Sequence, residues 1–81
     1  MLWKVYIVRC ADNSYYTGIS NNVAARIKKH NLGKGAAYTR GRGPVELAYS
    51  EDFPDRSSAS KRECAIKKLA RGQKEKLILK N

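Results

Sequence analysis

The stretches LWKVYIVRC at 2–10 and YYTGI at 15–19, separated by the polar ADNS at 11–14, decide how this chain begins to fold. Aromatic and β-branched side chains crowd both flanks and suit a pleated surface, so the segment predicts a β-hairpin. Beyond it the pattern turns helical. Ser20 and Asn21 are good N-caps, Val23, Ala24 and Ile27 fall on one stripe, and Gly33 is a natural stop, which predicts a first helix near 21–31. GKGAAYTRGRGP at 33–44 is a glycine-rich basic loop with one helical turn around Ala36–Thr39, and it lacks the spacing of a Walker A loop.

Pro44 then opens a third strand over Val45–Ser50, with Val45, Leu47 and Tyr49 alternating onto one face. A second helix follows from apolar spacing over Ser58–Ala70. Gly72 breaks it, and a short basic helix from Gln73 to Lys80 lays Leu77 and Ile78 on the core. The predicted order is β-β-α-β-α-α. That is one α+β domain over 1–81, a three-stranded antiparallel or mixed sheet covered by helices.

Composition narrows the function. Seventeen Lys and Arg against seven Asp and Glu give a formal charge of +10 over 81 residues, so a polyanion is the expected partner. No apolar run is long enough to span a membrane and no signal-peptide pattern opens the chain, so a soluble, cytoplasmic protein is expected. Cys10 and Cys64 lack zinc-site spacing and His30 stands alone, which argues against a structural zinc and against a Ser/His/Asp triad.

Three groups of residues could carry chemistry. Ala59, Glu63, Ile66 and Ala70 share one face of the second helix, which sets a carboxylate on an apolar stripe and demands a partner, either a divalent cation or an arginine. The alternative is a capping box from Ser60 to Glu63. Arg26 and His30 lie one turn apart on the first helix, where a guanidinium fork suits phosphate and an imidazole can relay a proton; a solvated basic face is the alternative. Tyr6, Tyr15 and Tyr16 sit on the hairpin, where packing is the ordinary role of strand tyrosines.

VYI at 5–7 followed by YTG at 16–18 resembles the paired motif of the GIY-YIG nuclease superfamily. Val5 stands for the first motif's Gly, Ile7 for its Tyr and Thr17 for the second motif's Ile. Arg26, His30 and Glu63 match the superfamily's arginine, its His-or-Tyr position and its metal-binding glutamate in order and setting. Through GKGAAYTRGRGPVELAY and KRECAIKKL the chain is similar to the small bacterial stand-alone branch; the same domain type occurs in the excision-repair nuclease and in a junction nuclease subunit. The resemblance implies a metal-dependent endonuclease acting on DNA rather than RNA, with Glu63 holding Mg²⁺ or Mn²⁺ and with Tyr6, Tyr16, Arg26 and His30 handling proton and phosphate. Gly18 would let the chain pass close to the site.

Lys34, Arg40, Arg42, Lys61, Lys67 and Lys68 are the expected backbone-phosphate contacts, and a protein partner could supply targeting. One departure stands out: Glu75 occupies the place of the superfamily's late asparagine, and Asn81 at the terminus is a poor substitute. Two other readings remain, a basic nucleic-acid-binding module without catalysis and a domain docking an acidic protein.

Overall fold

The computed structural model describes residues 2–80, so Asn81 lies outside the described residues. Three strands, β1 (Trp3–Arg9), β2 (Tyr15–Ser20) and β3 (Glu46–Phe53), form an antiparallel sheet in the order β2-β1-β3. Three helices, α1 (Val23–Asn31), α2 (Arg56–Lys67) and α3 (Arg71–Leu79), complete an α+β fold in the order the sequence predicts. None of these helices is long and apolar enough to cross a membrane.

β1 is central and covered on both faces, which is why Val5 to Val8 read as an unbroken buried run. Val5 and Ile7 pack with Tyr49, Ala59 and Ile66 on the α2 side. Tyr6 and Val8 pack with Cys10 and Val45 on the other side, against Tyr16, Val23 and Ile27. At the hairpin tip the Asp12 side chain accepts from the Ser14 amide at 3.0 Å, and Asn13 takes a left-handed φ of 69°, a conformation asparagine tolerates well.

β3 departs from simple alternation. Ile7 pairs with Tyr49 but Val8 pairs with Leu47, so Ala48 is an extra residue forming a bulge. Val45 and Tyr49 therefore belong to opposite cores instead of sharing one face. The strand also runs on to Phe53.

The helix starts differ from expectation by one or two residues. Asn22 caps α1, accepting from the Ala25 amide at 3.2 Å, and Asp55 caps α2, accepting from the Ser58 amide at 2.8 Å. Ser60 consequently lies inside α2 and caps nothing, which removes the capping-box reading of Glu63. α2 ends at Lys67, leaving Ala70 exposed and outside the helix. The break falls at 68–70 rather than at Gly72, which is inside α3; the Gln73 side chain accepts from the Ala70 amide at 3.0 Å to start that helix.

Candidate active site

Pairing of β1 with β2 sets Tyr6 opposite Gly18 and Val8 opposite Tyr16, so Tyr6 and Tyr16 are diagonal neighbours on the face that α1 covers. A Cβ on residue 18 would come within 2.7 Å of the Tyr6 hydroxyl and 3.2 Å of the Tyr16 ring. Glycine is thus required for the phenol to lie across β2, toward the open edge of the sheet.

His30, in the last turn of α1, meets that phenol. Its Nε2 lies 3.0 Å from the Tyr6 hydroxyl, and the Tyr16 ring is edge-on to the imidazole at 5.3 Å between centroids. On its other side, Nδ1 lies 2.7 Å from the Thr39 hydroxyl and 3.4 Å from the Ala36 amide nitrogen. Tyr6, His30 and Thr39 are each only 1% exposed. Burial pushes the Tyr6 phenol above its ordinary range, against a lowering contact from Arg26, with Tyr16 and Glu63 adding to the rise. Burial also pushes His30 down, and the positive charge of Arg26 adds to that. The resting pair is neutral phenol against neutral imidazole.

Arg26 is half-buried on α1, and a cleft of about 210 Å³ beside it is lined by Ser20, Asn21, Asn22, Ala25 and Lys29 as well. The Glu63 side chain on α2 is 19% exposed and pairs with Lys67 at 3.4 Å, one turn on. Lys67 in turn lies 5.9 Å from the centroid of Tyr16. Tyr6, Tyr16, Arg26, His30 and Glu63 are thus gathered at the β2 edge. No three His, Cys, Asp or Glu side chains cluster among the described residues. A cation at Glu63 would depend on water and substrate oxygens for the rest of its shell, a donor set that suits Mg²⁺ or Mn²⁺.

The basic residues divide. Lys34, Arg40, Lys61 and Lys68 are exposed, while Lys67 is shared with Glu63. Arg42 is tied inward: it pairs with Asp12 at 2.7 Å, donates to the Tyr38 carbonyl at 2.7 Å and covers the Tyr38 ring at 4.4 Å. Asp12 is held down to about 2 by its Ser14 and Arg42 bonds, so the pair stays charged across the ordinary pH range. Tyr38 stacks on Tyr16 at 5.9 Å, which makes Arg42, Tyr38 and Tyr16 one continuous pile. Glu75 pairs with Arg71 at 3.1 Å, and Arg71 lies 4.5 Å over the Tyr15 ring. The residue in the asparagine's place thus belongs to a clamp on the hairpin.

Gly35, Tyr38 and Thr39 escaped sequence reading. A side chain on residue 35 would overlap the His30 ring, so the glycine-rich loop is pressed against the imidazole. A glycine five residues past a helical histidine was the available signal, but loop glycines have many causes.

A family model described as the GIY-YIG catalytic domain matches residues 2–76. The chain belongs to the GIY-YIG family. Its relatives are UPF0213 proteins, a stand-alone branch: one from Clostridium perfringens is 58% identical over 91% of this chain and 80% of that protein. Another, from Halobacterium salinarum, is 51% identical over 91% of this chain and 96% of its own length. The solution structure of a Bacillus halodurans UPF0213 protein superposes with a TM-score of 0.61, at 49% identity, over 96% of this chain and 83% of that one. An E. faecalis protein gives 0.64 at 41% identity, over 94% and 81%. Membership of the GIY-YIG family brings a nuclease-type fold and implies nucleic-acid binding.

Proposed function

We propose that this chain is a divalent-metal-dependent endonuclease that hydrolyses phosphodiester bonds in DNA, with a preference for structure over sequence. The observation that carries the reading is the buried 3.0 Å contact between the Tyr6 hydroxyl and His30 Nε2. A packing tyrosine buried this deeply needs a hydrogen-bond partner of some kind, but an imidazole is the partner that can also take its proton.

Neither group favours charge on its own, since Tyr6 is pushed up and His30 down. A concerted handover suits that pair. The Tyr6 hydroxyl proton passes to Nε2 as a proton from the attacking water passes to the Tyr6 oxygen, and the resulting hydroxide attacks phosphorus. No free phenolate forms, and enclosure of the pair strengthens each contact. Arg26 faces the substrate's phosphate oxygens from α1, and Tyr16 holds the imidazole edge. A divalent cation, Mg²⁺ or Mn²⁺, held by Glu63 would supply positive charge at the scissile phosphate and the leaving 3′ oxygen. Lys34, Arg40, Lys61 and Lys68 contact flanking phosphates without reading bases, leaving a protein partner to supply targeting. Both described cysteines are free thiols, in keeping with a cytoplasmic enzyme.

The test is incubation of pure protein with labelled single-stranded, duplex and branched DNA in Mg²⁺, Mn²⁺ or EDTA. Cleavage should require the cation and vanish in Glu63→Gln, with folding and DNA binding retained. Arg26→Ala should lose far more turnover than binding. The charge of +10 favours a second reading, a binding module without catalysis. Tight, salt-sensitive binding with no cleavage of any substrate under any metal would establish it.

A further inference from the structure

Thr39 lies in the loop between α1 and β3, nine residues past His30, and matches no part of the paired motif. Its hydroxyl has one hydrogen and two neighbours. It donates to the Ala36 carbonyl at 3.0 Å, and it lies 2.7 Å from His30 Nδ1. With that hydrogen spent on the carbonyl, the oxygen can only accept from the ring, which requires the proton on Nδ1. The lone pair of Nε2 is then left facing the Tyr6 hydroxyl at 3.0 Å. Every donor in the chain Tyr6, His30, Thr39, Ala36 carbonyl finds an acceptor.

The opposite arrangement has two supporters: the Thr39 hydroxyl turned from the carbonyl, which already accepts from the Thr39 amide at 3.1 Å, to donate to Nδ1 at 2.7 Å, and the Ala36 amide directed at Nδ1 at a long 3.4 Å. It would set an Nε2 hydrogen against the Tyr6 hydroxyl and take away the acceptor of that hydroxyl's proton. From these directions we propose that Thr39 is a positioning residue, which fixes His30 in the Nδ1–H tautomer so that Nε2 can accept the proton of Tyr6. In the other tautomer Nε2 would carry its own hydrogen and the handover from Tyr6 would be blocked. After the handover, the imidazolium donates from both nitrogens and Thr39 goes on accepting without turning. The chain therefore needs no reorganisation during the reaction. Gly35 adds to the fixation, because its bare backbone closes over the imidazole and leaves it no room to swing.

The catalytic consequence rests on the nuclease reading, but the tautomer does not, and this separates the two failures. His30 is the single histidine in the sequence. Two-bond proton–nitrogen correlation spectra of uniformly ¹⁵N-labelled protein, above about pH 7 where the ring is neutral, therefore report its tautomer directly. The parent protein should show the Nδ1–H form. Thr39→Val keeps the shape and removes the oxygen, so the Ala36 amide should draw the ring toward the Nε2–H form. Single-turnover cleavage should fall by roughly tenfold or more, as expected for a histidine held in the wrong tautomer, with DNA binding unchanged. Thr39→Ser should restore both tautomer and rate, which a purely packing role for the threonine methyl would not produce.

A parent protein in the Nε2–H form would overturn the proposal. So would a Thr39→Val protein that keeps the Nδ1–H form and the parent rate. Should Thr39→Val fail to fold, the parent spectrum and the Thr39→Ser variant decide the matter. A parent that cuts no DNA but shows a Thr39-dependent tautomer would sink the nuclease reading and leave the role of Thr39 standing.

Discussion

Replacing Gly35 with alanine tests how tightly the loop grips His30. The new methyl would sit 2.3 Å from Nδ1, 2.8 Å from Cγ and 2.9 Å from Cε1 of the ring, where ordinary contacts are about 3.5–4.0 Å, so ring or backbone must yield by about 1 Å. If the ring yields, its 3.0 Å bond to Tyr6 and its 2.7 Å bond to Thr39 cannot both survive. If the backbone yields, Ala36 and Thr39 move with it, and Nδ1 loses its partners. Overpacking at a closed site costs about 1–3 kcal/mol. For a chain of this size that amounts to a fall in thermal midpoint of roughly 5–20 °C. Thermal denaturation followed by circular dichroism gives the midpoint, and single-turnover cleavage gives the functional loss. Gly72→Ala is the paired control. Gly72 lies in α3 with nothing within 4 Å of the added Cβ, and there alanine should stabilise by about 1 kcal/mol. A Gly35→Ala protein that melts with the parent, while Gly72→Ala behaves as expected, would refute the claim that the loop is packed against the imidazole.

Three further outcomes follow from other contacts. Thr17, 3% exposed on the α2 side of β2, has a hydroxyl with no hydrogen-bond partner. Thr17→Val should therefore raise stability by about 1 kcal/mol, and a loss of similar size in urea denaturation would mean that the hydroxyl is in fact satisfied. Arg40 is exposed while Arg42 is tied to Asp12 and Tyr38, so Arg40→Ala should lower the salt slope of DNA binding by about one with an unchanged melting point. Arg42→Ala should lower the melting point as well, and identical behaviour of the two would contradict the inward tie. Because the His30 pKa is lowered on folding, the folded state disfavours its protonation. Stability should be full above about pH 6.5 and fall as pH drops through the lowered folded value. Asp12 and Asp55, both held below the ordinary carboxylate range, act at still lower pH; a midpoint that climbs between about pH 7 and pH 5 would reverse the assigned sign.

Much of the fold was legible because its signals are local. The hairpin follows from two β-rich runs around a polar tip, and each helix from an apolar stripe with a cap close by. Gaps arose where spatial neighbours outweighed local spacing. Alternation over Val45, Leu47 and Tyr49 assumes two residues per repeat, and the extra Ala48 breaks that count without any mark in the sequence. Tyr6, Tyr16, Arg26, His30 and Glu63 could be singled out because their types and order form a pattern. Thr39 and Gly35 touch the same imidazole but sit in a loop without period, where the side chain they serve lies nine and five residues back. Arg42 looked like any other loop cation, since its tie to Asp12 spans thirty positions.

The bulge at Ala48 also bears on how this chain can change its length. Leu47 and Tyr49 reach opposite sides of the sheet only because one residue is looped out between them. Deleting Ala48 would close the ladder with Leu47 still opposite Val8 and Tyr49 still opposite Ile7, so both halves keep their faces, whereas inserting one more residue there would turn one half over, sending Val45 to the α2 side or Tyr49 to the α1 side. Val45 and Tyr49 are both buried, so neither can change face without leaving a gap in its own core. Deletions should therefore be borne at the bulge, and insertions at the hairpin tip or after the second helix rather than in the middle of the third strand.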